Sequence, residues 1–600
     1  MHANRIFRPS ALLLFGAVCF AVGLGALLPA PVSAQTEPTP LPLYALPDPR
    51  QSTSISSNML ALAPDNRTLV VANMLNSTLS VVLPGTGELV AEIPVGKDPR
   101  SVAILDDGLR VVTANRGDDT LSLVDLQAQT VTAIPLGGAQ PYGVIMGANQ
   151  HAYVSLQGSA EVVEVDVNAG TVLRRIPVEP FPSGLALWGD FLYVTHFWSG
   201  DLSLIYLPQN RVIAVAHNGR DSGISQAVEL DITRGLAYLP QTRSNADEPH
   251  PTYDTLVFPV VNVVSLRDLA LQRGNRLTLD TADQPVNMPF AVALDRFREW
   301  LFVANAGSND VSVIDLKTGL ARAHIPVGAN PRGILLNHDN SLVFVYNALE
   351  GTLTVIETRN LTVINEIPIS DFNIPVDIII GSQLFYSAAD PRLSADRWVS
   401  CANCHFDGLS DGRVWHGFPD GARSTPPLYG LLETPPYNAA GTWDEVADVE
   451  LKIRSLQAGS GLITDGPVSA ALGDPHSRRS LDLDVLVSYL SALQGPPAPP
   501  PADAAQAERG AAVFTEQGCE SCHVGAVGTD LKRYDVGTGG EFDTPSLRYL
   551  WLSAPYLHDG AARTLTDVFR LPGAHQLALK VLPQDIDALV AYLQALPTPP

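Results

Sequence analysis

Two cysteine–histidine motifs stand out in the last third of the chain. They have the sequence Cys-x-x-Cys-His, over Cys401–His405 and again over Cys519–His523, and contain four of the five cysteines. In this pattern two thiols add to the vinyl groups of a porphyrin and the adjacent imidazole binds iron, which is the attachment signature of c-type haem. The sequence therefore predicts two covalently bound haem c groups. The predicted attachment and proximal residues are Cys401, Cys404, His405, Cys519, Cys522 and His523.

A zinc site made of two Cys-x-x-Cys knuckles is the alternative interpretation of these motifs. Zinc ribbons usually separate their knuckles by roughly 15–20 residues, whereas Cys404 and Cys519 are 115 positions apart. Zinc would also leave the histidine after each pair without a role. The spacing favours haem.

The charge of the chain limits its partners. The 600 residues carry a formal net charge of −24, and an acidic surface repels nucleic acid and anionic membranes. The same surface would steer a cationic redox protein in a salt-sensitive way. We therefore expect no nucleic acid partner, and a small redox protein, a c-type cytochrome or a cupredoxin, as electron donor.

The N-terminal residues predict export. Arg5 and Arg8 precede an apolar run over residues 11–28, and Val32-Ser33-Ala34 has the small-x-small form of a cleavage site. We predict a signal peptide over residues 1–34 and a periplasmic or otherwise extracytoplasmic, secreted protein. An uncleaved membrane anchor stays open, because the apolar run is long enough to span a bilayer.

A sequence repeat follows a short N-terminal linker, residues 35–54. Ile-Pro pairs begin at Ile93, Ile134 and Ile176, and again at Ile325 and Ile367, with spacings of 41, 42 and 42 where the copies are consecutive. Four short strands in about 42 residues make one propeller blade. A strand with alternating apolar residues occurs seven times, near Leu79, Leu121, Val162, Leu202, Val260, Val311 and Leu353. These seven copies predict a seven-bladed β-propeller over residues 55–380. An insertion in the fifth blade falls around residues 243–254.

The repeats resemble the YVTN-type propellers, which are related to the propeller of nitrous oxide reductase. Tyr193-Val194-Thr195-His196 is nearly the namesake motif. A copper cluster like that of nitrous oxide reductase needs several converging imidazoles, and only His196 occupies the position after the strand. The resemblance implies the fold, and the positions of the histidines argue against a copper site.

The region after the propeller is a tandem duplication. Thr425-Pro426-Pro427-Leu428 matches Thr544-Pro545-Ser546-Leu547 with an offset of 119, and each half closes with an amphipathic helix. We predict two all-α cytochrome c-like domains, over residues 381–495 and 504–600, joined by a Pro-rich linker over residues 496–503. The expected fold class is thus multidomain β + α.

This C-terminal region resembles the di-haem cytochrome c peroxidases and MauG. The first motif with its approach from Leu384, and the segments Thr544–Arg548 and Ala554–Gly560, carry the resemblance. It implies that the first haem reacts with peroxide and that the second haem supplies electrons.

The distal ligands and acid–base groups follow from the resemblance and from position. His416, in a His-Gly-Phe segment, matches the movable ligand of the first peroxidase haem. No methionine follows Met288, so the expected second ligand opposite His523 is His575. Glu445 and Glu450 are the candidate acid–base carboxylates for peroxide cleavage.

Together these observations predict an exported di-haem oxidoreductase that is peroxide-dependent. Its substrate would be hydrogen peroxide, with an organic or protein substrate as the alternative. Two other functions stay open: pure electron transfer with the propeller docking a partner, and MauG-like oxidation of a protein or organic substrate. A membrane contact is expected only if the signal segment is retained.

Overall fold

The computed structural model describes residues 46–49, 53–250, 252–279, 284–418, 421–577 and 579–596. The predicted signal peptide and the alternative membrane anchor lie outside these residues. Within the described ranges, no helix combines the length and the apolar character that a membrane crossing requires.

Seven antiparallel sheets follow one another along the chain and form the blades of a β-propeller, as the repeat predicts. A short strand, β1 (Ser54–Ser56), precedes them. Blades one to four contain β2 (Leu60–Leu62), β3 (Leu69–Asn73), β4 (Thr78–Leu83), β5 (Glu88–Pro94); β6 (Pro99–Ile104), β7 (Arg110–Asn115), β8 (Thr120–Asp125), β9 (Thr130–Pro135); β10 (Pro141–Met146), β11 (His151–Leu156), β12 (Glu161–Asp166), β13 (Thr171–Pro177); and β14 (Pro182–Trp188), β15 (Phe191–His196), β16 (Leu202–Tyr206), β17 (Arg211–Ala216).

The fifth blade is the irregular one and contains the insertion. Its long hairpin is interrupted by one helical turn, and the sixth and seventh blades return to four strands. These elements are β18 (Ser222–Gly223), β19 (Glu229–Asp231), β20 (Leu236–Ser244), α1 (Tyr253–Leu256), β21 (Val257–Ser265), β22 (Ala270–Leu271), β23 (Leu277–Thr278); β24 (Pro289–Asp295), β25 (Trp300–Asn305), β26 (Asp310–Asp315), β27 (Leu320–Pro326); and β28 (Pro331–Leu336), β29 (Leu342–Asn347), β30 (Thr352–Glu357), β31 (Thr362–Pro368).

An asparagine at the end of the second strand fixes the turn in four of the blades. Asn73 Nδ2 donates to Thr78 Oγ1 at 2.9 Å and to Ser80 Oγ at 2.8 Å, on the third strand of the same blade. Asn115 and Asn347 make the same pair of bonds in their blades, and Asn305 bonds Asp310 and Ser312 in the sixth. Because a buried amide must be hydrogen-bonded, this residue sets the local register of these four blades.

Six helices and two short ribbons form the described part of the C-terminal region. The elements are α2 (Val376–Tyr386), β32 (Val414–Trp415), β33 (Arg423–Ser424), α3 (Val449–Ser455), α4 (Leu481–Ala492), α5 (Ala504–Glu516), β34 (Arg533–Asp535), β35 (Glu541–Asp543), α6 (Leu565–Val568) and α7 (Pro583–Gln594). The ribbons and the many loops mean that the region is less helical than the predicted pair of all-α domains.

The duplication predicted from the sequence is visible in two helix pairs. In the first half α2 packs on α4, and in the second half α5 packs on α7. Each crossing depends on a glycine, because a Cβ on Gly381 would collide with the Val485 carbonyl and one on Gly510 with the Ala588 carbonyl. The close approach of two helix backbones therefore requires glycine at both positions.

Candidate functional site

The first cysteine–histidine motif begins with a single 3₁₀ turn, Cys401–Asn403. His405 follows it, and its Nδ1 lies 3.0 Å from the Pro426 carbonyl oxygen. That contact fixes the tautomer with the proton on Nδ1 and leaves Nε2 as the free ligand atom. Burial lowers the pKa of His405 to about 4, so the ring is neutral, as a metal ligand must be.

The second motif repeats this arrangement in the other half. Its 3₁₀ turn spans Cys519–Ser521, and His523 Nδ1 lies 2.9 Å from the Gly528 carbonyl oxygen. Burial also lowers the pKa of His523. Both histidines are thus neutral and oriented by a backbone carbonyl.

The donor sets at both motifs fit a covalently attached haem. The four described cysteines are free thiols, so they are available for thioether formation. Each pair is followed by a neutral imidazole whose second nitrogen is already engaged, which is the outer contact typical of metal-binding histidines.

His575 faces His523 in the second half. The two ring centroids are 6.3 Å apart and the ring planes are inclined by 41°. Two imidazole nitrogens on opposite sides of one metal ion lie about 4 Å apart, and each ring centre lies about 1.2 Å further out, giving about 6.4 Å between centres. The observed separation therefore suits an iron atom between the two rings.

His416 lies at the surface beside the fifth-blade insertion. Its backbone N–H donates to the Ala246 carbonyl at 2.9 Å, and its Nε2 lies 3.8 Å from Asp247 Oδ1. The His416 side chain is 54% exposed. Its neighbours Trp415 and Phe418 pack in one apolar cluster with Cys404, so the segment adjoins the first motif while the imidazole itself faces solvent.

Glu445 and Glu450 have different surroundings. Glu450 is fully buried, pairs with Arg454 at 2.8 Å and accepts the backbone N–H groups of Leu462 and Ile463. Its oxygens are therefore already occupied. Glu445 is part of a second group, in which it accepts the His476 backbone N–H.

That second group contains a buried Asp–His pair. His476 Nδ1 lies 2.7 Å from Asp448 Oδ1, both side chains are nearly inaccessible, and the His476 N–H bonds Glu445. The carboxylate of Glu445 is 23% exposed. Of the two predicted carboxylates, Glu445 is thus the one that solvent reaches.

A buried charge cluster that sequence reasoning missed lies two residues after His405. Asp407 Oδ2 accepts from Arg100 Nη1 at 2.6 Å, and Oδ1 accepts from Arg332 Nη2 at 2.9 Å and from the Tyr386 hydroxyl at 2.6 Å. Arg116 Nη1 lies 3.5 Å from Oδ2. We call these five residues the Asp407 clamp. It joins the first motif to blades two and seven of the propeller.

The clamp is charged although it is buried. Burial alone would raise the pKa of the Asp407 carboxyl, but Arg100, Arg332 and Arg116 hold it well below its usual range. Burial would likewise lower the pKa of Arg332, and Asp407 raises it instead. Because a buried charge needs a partner, the buried arginines of the clamp depend on the Asp407 carboxylate, and the carboxylate depends on the arginines.

Polar contacts on both sides of the first motif continue this docking. Trp198 Nε1 donates to the Ser410 carbonyl at 3.0 Å, and Asn287 Nδ2 donates to Asn403 Oδ1 at 2.9 Å. Arg413 donates to the carbonyls of Arg220 and Ser222. One face of the propeller is therefore covered by the chain's own first haem-attachment loop.

A signal for the clamp was present in the sequence. Arg100 and Arg332 each follow the first proline of an inner strand, in β6 and β28, where the other regular blades place Tyr142, Ser183 and Phe290. A cation at a buried strand position needs a buried partner. The position alone, however, does not identify Asp407 as that partner.

The two halves of the C-terminal region contact each other directly. Ser424 donates from its backbone to the His558 carbonyl and from its hydroxyl to the Leu557 carbonyl, both at 3.0 Å. The rings of Tyr429 and Tyr549 lie 5.1 Å apart. The two motifs are thus held in one connected unit.

Comparison with known proteins gives the relatives of this chain. No protein-family model matches the chain. The cytochrome c551 peroxidase of Pseudomonas aeruginosa is 26% identical over 274 residues, covering 36% of this chain and 77% of that protein. The methylamine utilization protein MauG of Methylorubrum extorquens is 29% identical over 246 residues, covering 32% and 67%. The solved structure of Kuenenia stuttgartiensis hydrazine synthase gives a TM-score of 0.45 at 19% identity over 54% of this chain and 99% of that chain.

The fold and these relatives together define a class. The chain is a seven-bladed β-propeller joined to a module similar to the di-haem cytochrome c peroxidases. The same relatives support an oxidoreductase as the class of enzyme.

Proposed function

We propose that the protein is an exported di-haem c-type oxidoreductase that reduces hydrogen peroxide. Haem c would be attached at Cys401 and Cys404 in the first motif and at Cys519 and Cys522 in the second. The bound haems would supply one-electron transfer and peroxide activation. Reduction of one peroxide to two waters takes two electrons and two protons.

The observation that carries this proposal is the asymmetry between the two motifs. His575 faces His523 across a gap that suits one iron atom. Among the described residues, no histidine ring is in ring contact with His405. A site closed on both sides suits electron transfer, whereas a site with an open or displaceable position admits peroxide. The second site is therefore the electron-donating one and the first site is the reacting one.

The proposed roles at the first site follow from the surroundings of each side chain. His405 is held by the Pro426 carbonyl and provides the proximal ligand. His416 is the movable ligand; to reach iron it must give up its contacts with Ala246 and Asp247. Glu445 is the better placed of the two carboxylates for proton exchange, since Glu450 is enclosed by its own partners.

The proposed domain boundaries are those predicted from the sequence. The signal peptide is residues 1–34, the propeller is residues 55–380, and the two cytochrome c-like domains are residues 381–495 and 504–600. The helix pairs that meet at Gly381 and Gly510 support this division. The donor would be a small cationic c-type cytochrome or cupredoxin, because the chain is acidic.

The test is spectroscopic and uses the haem-loaded full-length protein. We expect half-reduction to leave one oxidised site high-spin by electron paramagnetic resonance, and peroxide then to be consumed at two electrons per molecule. In His416→Ala the first site should be high-spin before any reduction. In His575→Ala the second site should lose its low-spin signal.

Other outcomes would assign a different function. Two sites that stay low-spin after half-reduction and ignore peroxide would make the protein an electron carrier. In that case a partner would dock away from the propeller face that the first motif covers. Sustained oxidation of an organic or protein substrate without a donor protein would indicate MauG-like activity, in keeping with the 29% identity to that protein.

A further inference from the structure

The propeller encloses an axial cavity that neither haem motif uses. Its volume is about 360 Å³, and the inner strands β6, β10, β24 and β28 contribute to its wall. Phe290 and Arg332 stand at the starts of β24 and β28, and Arg296 follows the end of β24. Arg296 is 41% exposed and Arg332 is fully buried. The cavity thus has a base at the Asp407 clamp and a mouth near Arg296.

One nitrogen at the base has no hydrogen-bond partner. Arg332 Nε donates to Asn330 and Nη2 donates to Asp407, but the buried Nη1 is unpartnered among the described residues. A buried donor without an acceptor destabilises the protein, and more so when it is charged. The rings of Phe290 and Phe406 lie 5.5 and 4.9 Å from the Arg332 guanidinium carbon. The guanidinium therefore lacks one acceptor, and aromatic rings flank it.

The charged residues of the cavity wall favour an anion. Arg100, Arg296 and Arg332 contribute three cations, and Glu229 is the anion among the lining residues. Glu229 is already engaged by Arg296 at 3.0 Å and by Ser56 at 2.9 Å. The three arginines of the clamp pair with two carboxylates, Asp407 and the neighbouring Asp98, so the cations outnumber the carboxylates by one at the base.

We propose that the axial cavity binds a small monocarboxylate with an apolar body. The carboxylate would accept the free Nη1–H of Arg332, which also neutralises the excess charge. The ring of Phe290 and the buried phenol of Tyr142 would contact the apolar part. Burial raises the pKa of Tyr142 to about 12, so this phenol stays neutral and does not repel an anion.

The test is calorimetric titration of the haem-loaded full-length protein with three probes: benzoate, inorganic phosphate and the neutral analogue benzyl alcohol. We expect saturable one-to-one binding of benzoate, weaker binding of phosphate and none of benzyl alcohol. Arg332→Gln should weaken benzoate binding at least tenfold, which is about 1.4 kcal/mol. Arg110→Gln is the control, because Arg110 pairs with Asp107 at the surface and neither residue lines the cavity, and it should change the affinity less than twofold.

Arg296→Gln gives a second variant in case the buried substitution prevents folding. Arg296 is half exposed at the mouth, so its loss should leave the fold intact and weaken benzoate binding at least threefold. Absence of benzoate binding to the unsubstituted protein would mean that the axial cavity holds only water and would overturn the proposal. Phosphate binding as tightly as benzoate, or equal affinities in the Arg332 and Arg110 variants, would overturn it as well.

Discussion

Replacing Asp407 by asparagine removes one charge from the clamp and preserves the shape of the side chain. In the native protein the Asp407 carboxylate accepts two hydrogen bonds of 2.6 Å, from Arg100 and Tyr386, and one of 2.9 Å from Arg332. Arg100 is 4% exposed and Arg332 is 0% exposed. Asp407→Asn would leave the Arg332 guanidinium buried without a counter-charge and would leave Arg100 with Asp98 as its remaining carboxylate partner.

The expected cost follows from that burial. Breaking a buried ion pair by removing one partner costs about 3–5 kcal/mol, because the remaining charge stays desolvated. Asp482→Asn is the matched control. Asp482 bonds Arg392 at the same 2.6 Å, but the two side chains are 38% and 40% exposed, and such exposed pairs contribute about 0.2–1 kcal/mol. Although the two bonds have the same length, Asp407→Asn should therefore lower the free energy of unfolding by about 3 kcal/mol more than Asp482→Asn does.

Urea unfolding of the haem-loaded proteins, followed by tryptophan fluorescence, measures this difference. The urea midpoints of the native protein, Asp407→Asn and Asp482→Asn can be compared directly if the free energy of unfolding falls with urea concentration at the same slope in all three. Arg332→Met combined with Asp407→Asn should recover part of the loss, since replacing both members of a buried pair by uncharged groups is close to neutral. The reasoning is refuted if Asp407→Asn and Asp482→Asn lower the free energy of unfolding by the same amount.

Three further predictions concern the pH dependence, the second site and the helix crossing. The pKa of Asp407 is lowered on folding. The difference in free energy of unfolding between the native protein and Asp407→Asn should therefore be constant from pH 7 down to about 4 and decrease below that pH, where the carboxylate of the unfolded chain is protonated. Urea titrations at several pH values test this. His575→Met should raise the reduction potential of the second site, because a thioether ligand favours ferrous iron, and a potentiometric titration that shows no rise contradicts the assignment. Gly510→Ala should cost about 1–3 kcal/mol by forcing α5 away from Ala588, to be compared with the exposed Ala505→Gly in the first turn of the same helix.

Local and periodic features were predictable from the sequence. Short strands recur in the blades and the asparagine turn recurs in four of them, and the bonds from Asn73 to Thr78 and Ser80 span only five and seven residues. The motif geometry is local too, since His523 and its carbonyl partner Gly528 are five residues apart. Sequence patterns report such short-range constraints well.

The docking of the first motif on the propeller was not predictable. Arg100 and Asp407 are 307 residues apart in the chain, and no periodicity relates them. The orientation of His416 shows the same limit, because its position depends on Ala246 and Asp247 in the fifth-blade insertion. Contacts between elements that are distant in the sequence depend on the shapes of their folded surfaces, and a single sequence does not reveal those shapes.

If both motifs carry haem as proposed, the buried position of the first one would set an order of maturation. Ala402 and Asn403 are fully inaccessible, and Asn403 is bonded to Asn287 of the propeller, whereas Glu520 and Ser521 in the second motif are exposed. Attachment machinery would have to reach both thiols of a motif to form the thioether bonds. The second motif could then receive haem on the finished fold, whereas the first would be loaded while its loop is still undocked, and premature closure of the Asp407 clamp would leave a protein with one haem.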